Sequence, residues 1–218
     1  MKSLLKLTLF LAAITWGALA VADREIEKED FSGWMKDYDS LVYIKEKNAF
    51  VFFNEALRGK YKQVIVDSVV VYARDAEADA KIAVESSEYL GKGITALLEN
   101  KGLLTDEAGP GVLRLKIAIT GVEKSKEDLK AYNFIPVGAV FRVAQTATGK
   151  VSTYIDSMFE AEMVDSVSGE RAAAIVTKGV QETEKRSGDE LDFEDVKPIL
   201  DLWLAQYDKT LNDFLATR

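Results

Sequence analysis

The sequence predicts an α/β fold of the α+β type: a mixed β-sheet of about four to five strands that contains an antiparallel hairpin and is covered by helices mainly on one face. Three observations predict it. Two runs rich in β-branched residues, 61–73 and 111–122, are typical of strands. Two alternating stretches, 151–164 and 170–180, flank a turn sequence and predict the hairpin. Segments with helical periodicity lie between these strands and after the last of them.

The first strand, Tyr61–Ala73, is mostly apolar on both faces, which predicts a central position in the sheet. A helix is predicted next over Ile82–Asn100, with Gly102 just beyond its end. The second strand, Gly111–Val122, alternates between an apolar and a partly polar face. The Gly109-Pro110-Gly111 sequence before it predicts a tight turn and not a phosphate loop, because it precedes a strand.

A second helix is predicted to begin at Pro136 and end near Gly149, since apolar residues recur there at helical spacing. A last helix is predicted with Asp195 as its cap and Pro198 in its first turn. Its buried stripe comprises Val196, Leu200, Trp203, Tyr207, Leu211 and Phe214.

The composition excludes several functional classes. The 218 residues include no His and no Cys, so the chain has no Ser-His-Asp triad, thiol nucleophile, disulfide or Cys/His zinc site. A net charge of -8 argues against binding nucleic acid. We expect no cofactor.

Residues 1–22 have the features of a signal peptide. Lys2 and Lys6 precede a short apolar run, and overlapping A-x-A sites end at Ala20 and Ala22. We therefore expect a periplasmic or secreted protein. Because the chain has no Cys to carry a lipid, no lipid anchor is expected.

We divide the chain into the signal peptide, a lead-in and clasp segment over residues 23–60, and a single α/β domain over 61–218. The clasp is the aromatic stretch Phe31–Leu41. It either packs onto the domain or docks a partner, and Trp34 and Tyr38 are the candidate partner-binding residues.

Acidic residues supply the remaining candidates. Asp75, Glu77 and Asp79 occupy alternate positions and could supply oxygen ligands to calcium, although solvated loop charges are the simpler interpretation. Glu160 and Glu162 share a strand face with Asp156 and could flank a sugar bond, but a solvated face is favoured. Asp67 lies among apolar neighbours and needs a partner, from a strand end or from the clasp.

Several segments in order resemble a bacterial family, domain of unknown function 3313, whose members are mostly predicted envelope lipoproteins. The matching stretches are FSGWMKDYDSL from Phe31, YKQVIVDSVVVY from Tyr61, GPGVLRLKIAITGV from Gly109, Pro136–Lys150, MVDSVSGE from Met163 and the Trp203 helix. The resemblance implies an α/β sheet domain of the bacterial envelope. It implies no activity and no functional residues, and this chain lacks the lipid-bearing Cys of the family.

The sequence therefore favours a non-catalytic binding or assembly module of the envelope, whose partner is an envelope protein or a glycan. The alternative is a carboxylate-dependent hydrolase acting on envelope glycans. Two converging carboxylates in a deep pocket would favour the enzyme, and an open apolar patch or groove would favour the binding module.

We predict removal of the leader after Ala20 or Ala22 on export, because a peptidase recognises the small residues of the A-x-A sites. N-terminal sequencing of the exported protein checks this. Retention of Met1 would contradict it.

Overall fold

The computed structural model describes residues 25–72, 80–120, 139–145, 151–185 and 192–216. Within these ranges the chain forms eight strands, two α-helices and two short 3-10 turns. In chain order the strands and helices are β1 (Val42–Ile44), β2 (Ala49–Phe53), β3 (Gln63–Val66), β4 (Val70–Tyr72), α1 (Ala80–Asn100), β5 (Val112–Thr120), β6 (Ala139–Gln145), β7 (Val151–Asp165), β8 (Arg171–Lys185) and α2 (Phe193–Leu215).

All eight strands belong to one mixed sheet, which confirms the predicted fold class. Its main order is β1-β2-β8-β7-β5-β3, and β4 and β6 pair with β5 and β7 respectively. Pairing with β5 is parallel for β3 and β4, whereas the other pairs are antiparallel. The sheet has more strands than the four to five predicted. Residues 42–53, within the segment set apart as lead-in and clasp, supply two of them.

The predicted hairpin is confirmed and forms the centre of the sheet. β7 and β8 are each 15 residues long and pair along nearly their whole length. One half of β7 pairs with β6 and the other half with β5, so these two strands lie end to end along the side of β7 that β8 does not occupy.

The helix predicted between Pro136 and Gly149 is wrong, because residues 139–145 form strand β6. The apolar residues of this stretch fit a helical period, but Val140, Phe141 and Val143 are also typical of strands. Seven residues of β6 pair in register with the next strand, β7, and the hydrogen bonds of this antiparallel pairing decide the conformation. A short apolar run does not distinguish the two structures by periodicity alone.

The strand predicted over Tyr61–Ala73 is interrupted and lies at the edge of the sheet, not in its centre. β3 and β4 follow one another along β5 with a break at residues 67–69. The other side of β3 is covered by the loop after α1, where Val64 N–H donates to Leu103 O and Thr105 N–H donates to Val64 O. That loop keeps Val64 buried. This explains why an edge strand has the apolar sequence that is typical of a central strand.

Both helices pack on the same face of the sheet. The main core contains Leu90, Ile94 and Leu98 of α1 with the predicted stripe of α2, where Tyr207 is only partly buried. Gly179 of β8 permits the close approach of α2, because a Cβ atom there would lie 2.2 Å from Ile199 Cγ2.

The start of α2 differs from the prediction. Its cap is Asp192, and Asp195 is the third helical residue, whose side chain accepts a hydrogen bond from Asp192 N–H. Pro198 therefore lies beyond the first turn. The reciprocal pair of carboxylates forms a capping box, which outcompetes a cap at Asp195 alone.

The opposite face of the sheet is covered by the N-terminal residues 25–41, which precede β1. A second apolar cluster forms there from Ile26, Met35, Leu41, Phe50, Met158, Ala174 and Val176. The sheet is thus buried on both faces around the β7–β8 hairpin, although only one face carries helices.

We predict that Trp203→Ala destabilises the fold by about 3–5 kcal/mol, as expected for a large buried aromatic side chain. Trp203 is 3% exposed, and its ring lies 4.8 Å from that of Phe159 between centroids. Chemical denaturation measures the change, and Leu202→Ala is a control because Leu202 is 43% exposed on the same helix. A denaturation midpoint equal to wild type would contradict the packing of α2.

Candidate functional site

The feature that organises the N-terminal side of the molecule is the buried carboxylate of Glu160. Glu160 lies in β7 and is 0% exposed. Its Oε1 accepts a hydrogen bond from Ser32 N–H at 3.0 Å, and its Oε2 accepts one from Tyr38 Oη at 2.6 Å. Both donors belong to the clasp. The carboxylate therefore joins the centre of the sheet to a segment more than 120 residues away in sequence.

The solvated strand face predicted for the β7 acids is wrong at Glu160. Alternation placed Glu160 on the face away from the helices, and that face is covered by the clasp. Glu162 is also largely shielded, with its side chain 16% exposed. The side chain of Asp156 lies outside the described residues. A polar strand face looks the same in sequence whether water or a buried hydrogen-bond network satisfies it.

Local contacts shape the clasp around Tyr38. Tyr38 Oη accepts a hydrogen bond from Met35 N–H, and Ser32 Oγ accepts one from Trp34 N–H. The Tyr38 ring stacks on Phe31 with centroids 4.6 Å apart, and Phe31 packs edge-on against Phe50 of β2. The clasp thus packs onto the domain, which is one of the two alternatives predicted from the sequence.

The environment of Tyr38 favours its protonated form. Burial is the largest of three causes that together raise the pKa of its hydroxyl to about 12; the other two are the hydrogen bond to Glu160 and the negative charge of Glu160. The phenol therefore remains a donor to Glu160 at neutral pH.

Beside the clasp lies an open groove, which we call the Trp34 groove. Its volume is about 690 Å³. It is lined by clasp residues, by residues at or near the ends of β2, β7 and β8, and by the middle of β5: Trp34, Met35, Lys36, Asp37, Ser40, Phe52, Asn54, Lys116, Glu162, Val164, Gly169, Glu170 and Arg171. Trp34 is half-buried, and Tyr38 lies behind the groove, against Glu160.

Arg171 connects the charges of the groove. Its Nε donates to Glu162 Oε1 at 2.8 Å, and its Nη1 donates to Ser40 Oγ and lies 3.4 Å from Asp37 Oδ2. Lys116 Nζ lies 3.8 Å from the other oxygen of Glu162. Arg171 is only 15% exposed, so these contacts fix its guanidinium against the sheet.

A second polar contact fixes the far rim of the groove. Asn54 Nδ2 donates to Glu170 Oε1 at 2.9 Å, which joins the end of β2 to the start of β8. The groove therefore presents polar groups held in place by their neighbours.

The other acidic candidates do not join this groove. Asp67 forms an ion pair with Arg114 of the neighbouring strand β5, and neither a strand end nor the clasp supplies its partner. Asp75, Glu77 and Asp79 lie outside the described residues. Among the residues that the structure describes, no three acidic side chains are grouped so as to hold a metal ion.

Sequence reasoning missed Arg171, Ser40 and Asn54 as lining residues. For Arg171 a signal existed, since Glu162 and Arg171 flank the hairpin turn and the turn brings them together across β7 and β8. For Ser40 and Asn54 no local pattern distinguishes them from ordinary loop residues.

We predict that Tyr38→Phe destabilises the protein by about 1–3 kcal/mol, because a buried carboxylate loses a donor. Urea denaturation measures it. Tyr72→Phe is the matched control and is expected to have little effect, since Tyr72 is 37% exposed. A change no larger than that of the control would contradict the role of the Tyr38–Glu160 hydrogen bond.

The same variant has a pH signature. The folded state raises the Tyr38 pKa from 10.0 to about 12, so the stabilisation is complete below pH 10 and is lost as the pH rises towards 12. The difference in stability between wild type and Tyr38→Phe should therefore be smaller at about pH 11 than at about pH 9. An unchanged or larger difference would contradict the assignment.

The chain is similar to known proteins in sequence and in fold. Uncharacterized lipoprotein YdcL of Escherichia coli K12 is 23% identical over 187 residues, which cover 83% of this chain and 84% of that protein. Among solved structures, a minor lipoprotein from Acinetobacter baumannii aligns with a TM-score of 0.41 at 8% identity, covering 69% of this chain and 92% of that one. A PelC dodecamer from Paraburkholderia phytofirmans aligns with a TM-score of 0.35 at 11% identity, covering 78% and 98% of the two chains.

Neither α1 nor α2, the helices in the described part of the chain, is both long and apolar enough to cross a membrane. The family model of proteins of unknown function DUF3313 matches residues 30–207, from the end of the first 3-10 turn to the middle of α2. This range contains the clasp, the whole described sheet and the Trp34 groove, and the chain belongs to the DUF3313 family.

Proposed function

We propose that this protein is a non-catalytic binding module of the bacterial cell envelope and that the Trp34 groove receives its partner. The groove carries the proposal: a half-buried tryptophan lies beside polar groups that neighbouring residues hold in place. Preorganised polar groups around an aromatic anchor are typical of binding surfaces. The lipoprotein relative and the signal-like leader support a location in the envelope.

The two partner-binding candidates take different roles in this proposal. Trp34 lines the groove and contacts the partner directly. Tyr38 acts indirectly, because its hydroxyl is engaged by Glu160 and Met35. It holds the clasp in the position that places Trp34 at the groove.

The geometry of Glu160 and Glu162 gives little support to the alternative function, a hydrolase. A retaining or inverting glycosidase needs both carboxyl groups against the scissile bond. Glu160 is fully buried and hydrogen-bonded to the clasp, whereas Glu162 forms ion pairs with Arg171 and Lys116. A substrate would reach Glu160 only after displacement of the clasp.

The experiment compares Trp34→Ala with wild type in quantitative affinity capture from envelope extract. Because Trp34→Ala removes a central aromatic anchor, we expect it to capture at least about tenfold less of the partners that the wild type captures specifically. Leu202→Ala is the control, because it removes an exposed apolar side chain from α2, on the other side of the sheet. Equal capture by wild type and Trp34→Ala would contradict a role for the groove.

An activity screen on peptidoglycan and glycan substrates addresses catalysis. We expect no turnover by the wild type. Turnover that is lost in Glu162→Gln while the denaturation midpoint is unchanged would overturn the non-catalytic proposal in favour of the hydrolase.

A further inference from the structure

We propose that the ligand of the Trp34 groove is an uncharged saccharide. This inference rests on the proposed binding function and adds the chemical class of the ligand. Three properties of the groove lead to it: the balance of its charges, the kind of polar groups it presents and its aromatic side chain.

The charges of the groove balance. The lining contains three cationic side chains and three acidic ones: Lys36, Lys116 and Arg171, and Asp37, Glu162 and Glu170. Arg171 contacts two of these carboxylates, and Lys116 approaches one of them. A strongly anionic or cationic ligand would meet no net attraction and would lose its hydration on entry. The balance therefore favours a ligand without net charge.

The polar groups match a ligand whose hydroxyls both donate and accept. Carboxylates accept from hydroxyls, guanidinium and ammonium groups donate to them, and the Asn54 amide and Ser40 hydroxyl do both. Donors and acceptors alternate within hydrogen-bond reach along Ser40, Arg171 and Glu162. Because these groups are already oriented by one another, little entropy is lost on ordering them around a ligand.

Trp34 supplies the apolar contact that a sugar ring requires. A pyranose has a face of C–H groups and an edge of hydroxyls, so it pairs best with an aromatic ring beside polar groups. Trp34 forms the apolar part of the lining together with Met35, Phe52 and Val164. The groove volume of about 690 Å³ lies within the range of about 300–1,000 Å³ that is usual for small-molecule sites.

An apolar ligand fits the site less well. It would cover the charged side chains of Arg171, Glu162 and Lys116 without replacing the hydrogen bonds that they make with water, and this desolvation is costly. A hydroxyl-rich ligand replaces those bonds.

The test is isothermal titration calorimetry of the exported protein with chitotetraose, cellotetraose and maltotetraose as neutral saccharides and sialyllactose as an anionic one. We expect binding of at least one neutral tetrasaccharide. Trp34→Ala should weaken it by about tenfold or more, because an aromatic contact and its buried area are lost. Trp34→Phe should retain most of the affinity, and Leu202→Ala all of it.

The outcomes separate this inference from the proposed function. If no neutral saccharide binds but capture of an envelope partner depends on Trp34, the saccharide is overturned and the binding function stands. If neither depends on Trp34, both fail. Binding of sialyllactose alone, or neutral binding that Trp34→Ala leaves unchanged, would also overturn the saccharide assignment.

Discussion

The carboxylate of Glu160 is the constraint on which the N-terminal side of the structure depends. A buried charge without partners costs several kcal/mol, roughly 3–5 kcal/mol when one partner of a buried pair is removed. β7 and its neighbouring strands leave Glu160 pointing away from the helices, and the described donors to it, Ser32 N–H and Tyr38 Oη, come from the clasp. Satisfying this one side chain therefore fixes where the clasp lies.

The position of the clasp in turn creates the Trp34 groove. One wall of the groove is clasp and the other is sheet, so neither part has the site alone. Arg171 ties the two walls together through Glu162 on the sheet and through Asp37 and Ser40 on the clasp. Polar contacts of this kind contribute modestly to stability in partly exposed positions, but they define geometry well. The structural role of the acids and the binding role of the groove are thus parts of one arrangement.

Much of the fold followed from local patterns in the sequence. The β7–β8 hairpin, α1 and the apolar stripe of α2 were predicted because their periodicity reports one buried face each. β6 was mistaken for a helix because its antiparallel pairing with the next strand, β7, decided between two structures that its apolar residues fit equally well. β3 was mistaken for a central strand because the loop after α1 covers its outer side, and that loop lies outside any local window of the sequence.

The candidate site, too, could be predicted from local sequence patterns only in part. The aromatic character of the clasp identified Trp34 and Tyr38 as residues of interest, since large apolar side chains in so polar a segment need a surface to cover. The burial of Glu160 could not be predicted, because its partners lie more than 120 residues earlier in the chain. Alternation along β7 located the face on which Glu160 lies, but it carried no information on what covers that face.

The most direct measurement is amide hydrogen exchange of residues 31–41 in wild type and in Glu160→Ala. Anchoring by Glu160 predicts that the Ser32 and Met35 amides are protected in wild type and exchange freely in the variant, while the β7 and β8 amides around the hairpin turn remain protected. Clasp amides that exchange freely in wild type, or that stay equally protected without the carboxylate, would contradict it.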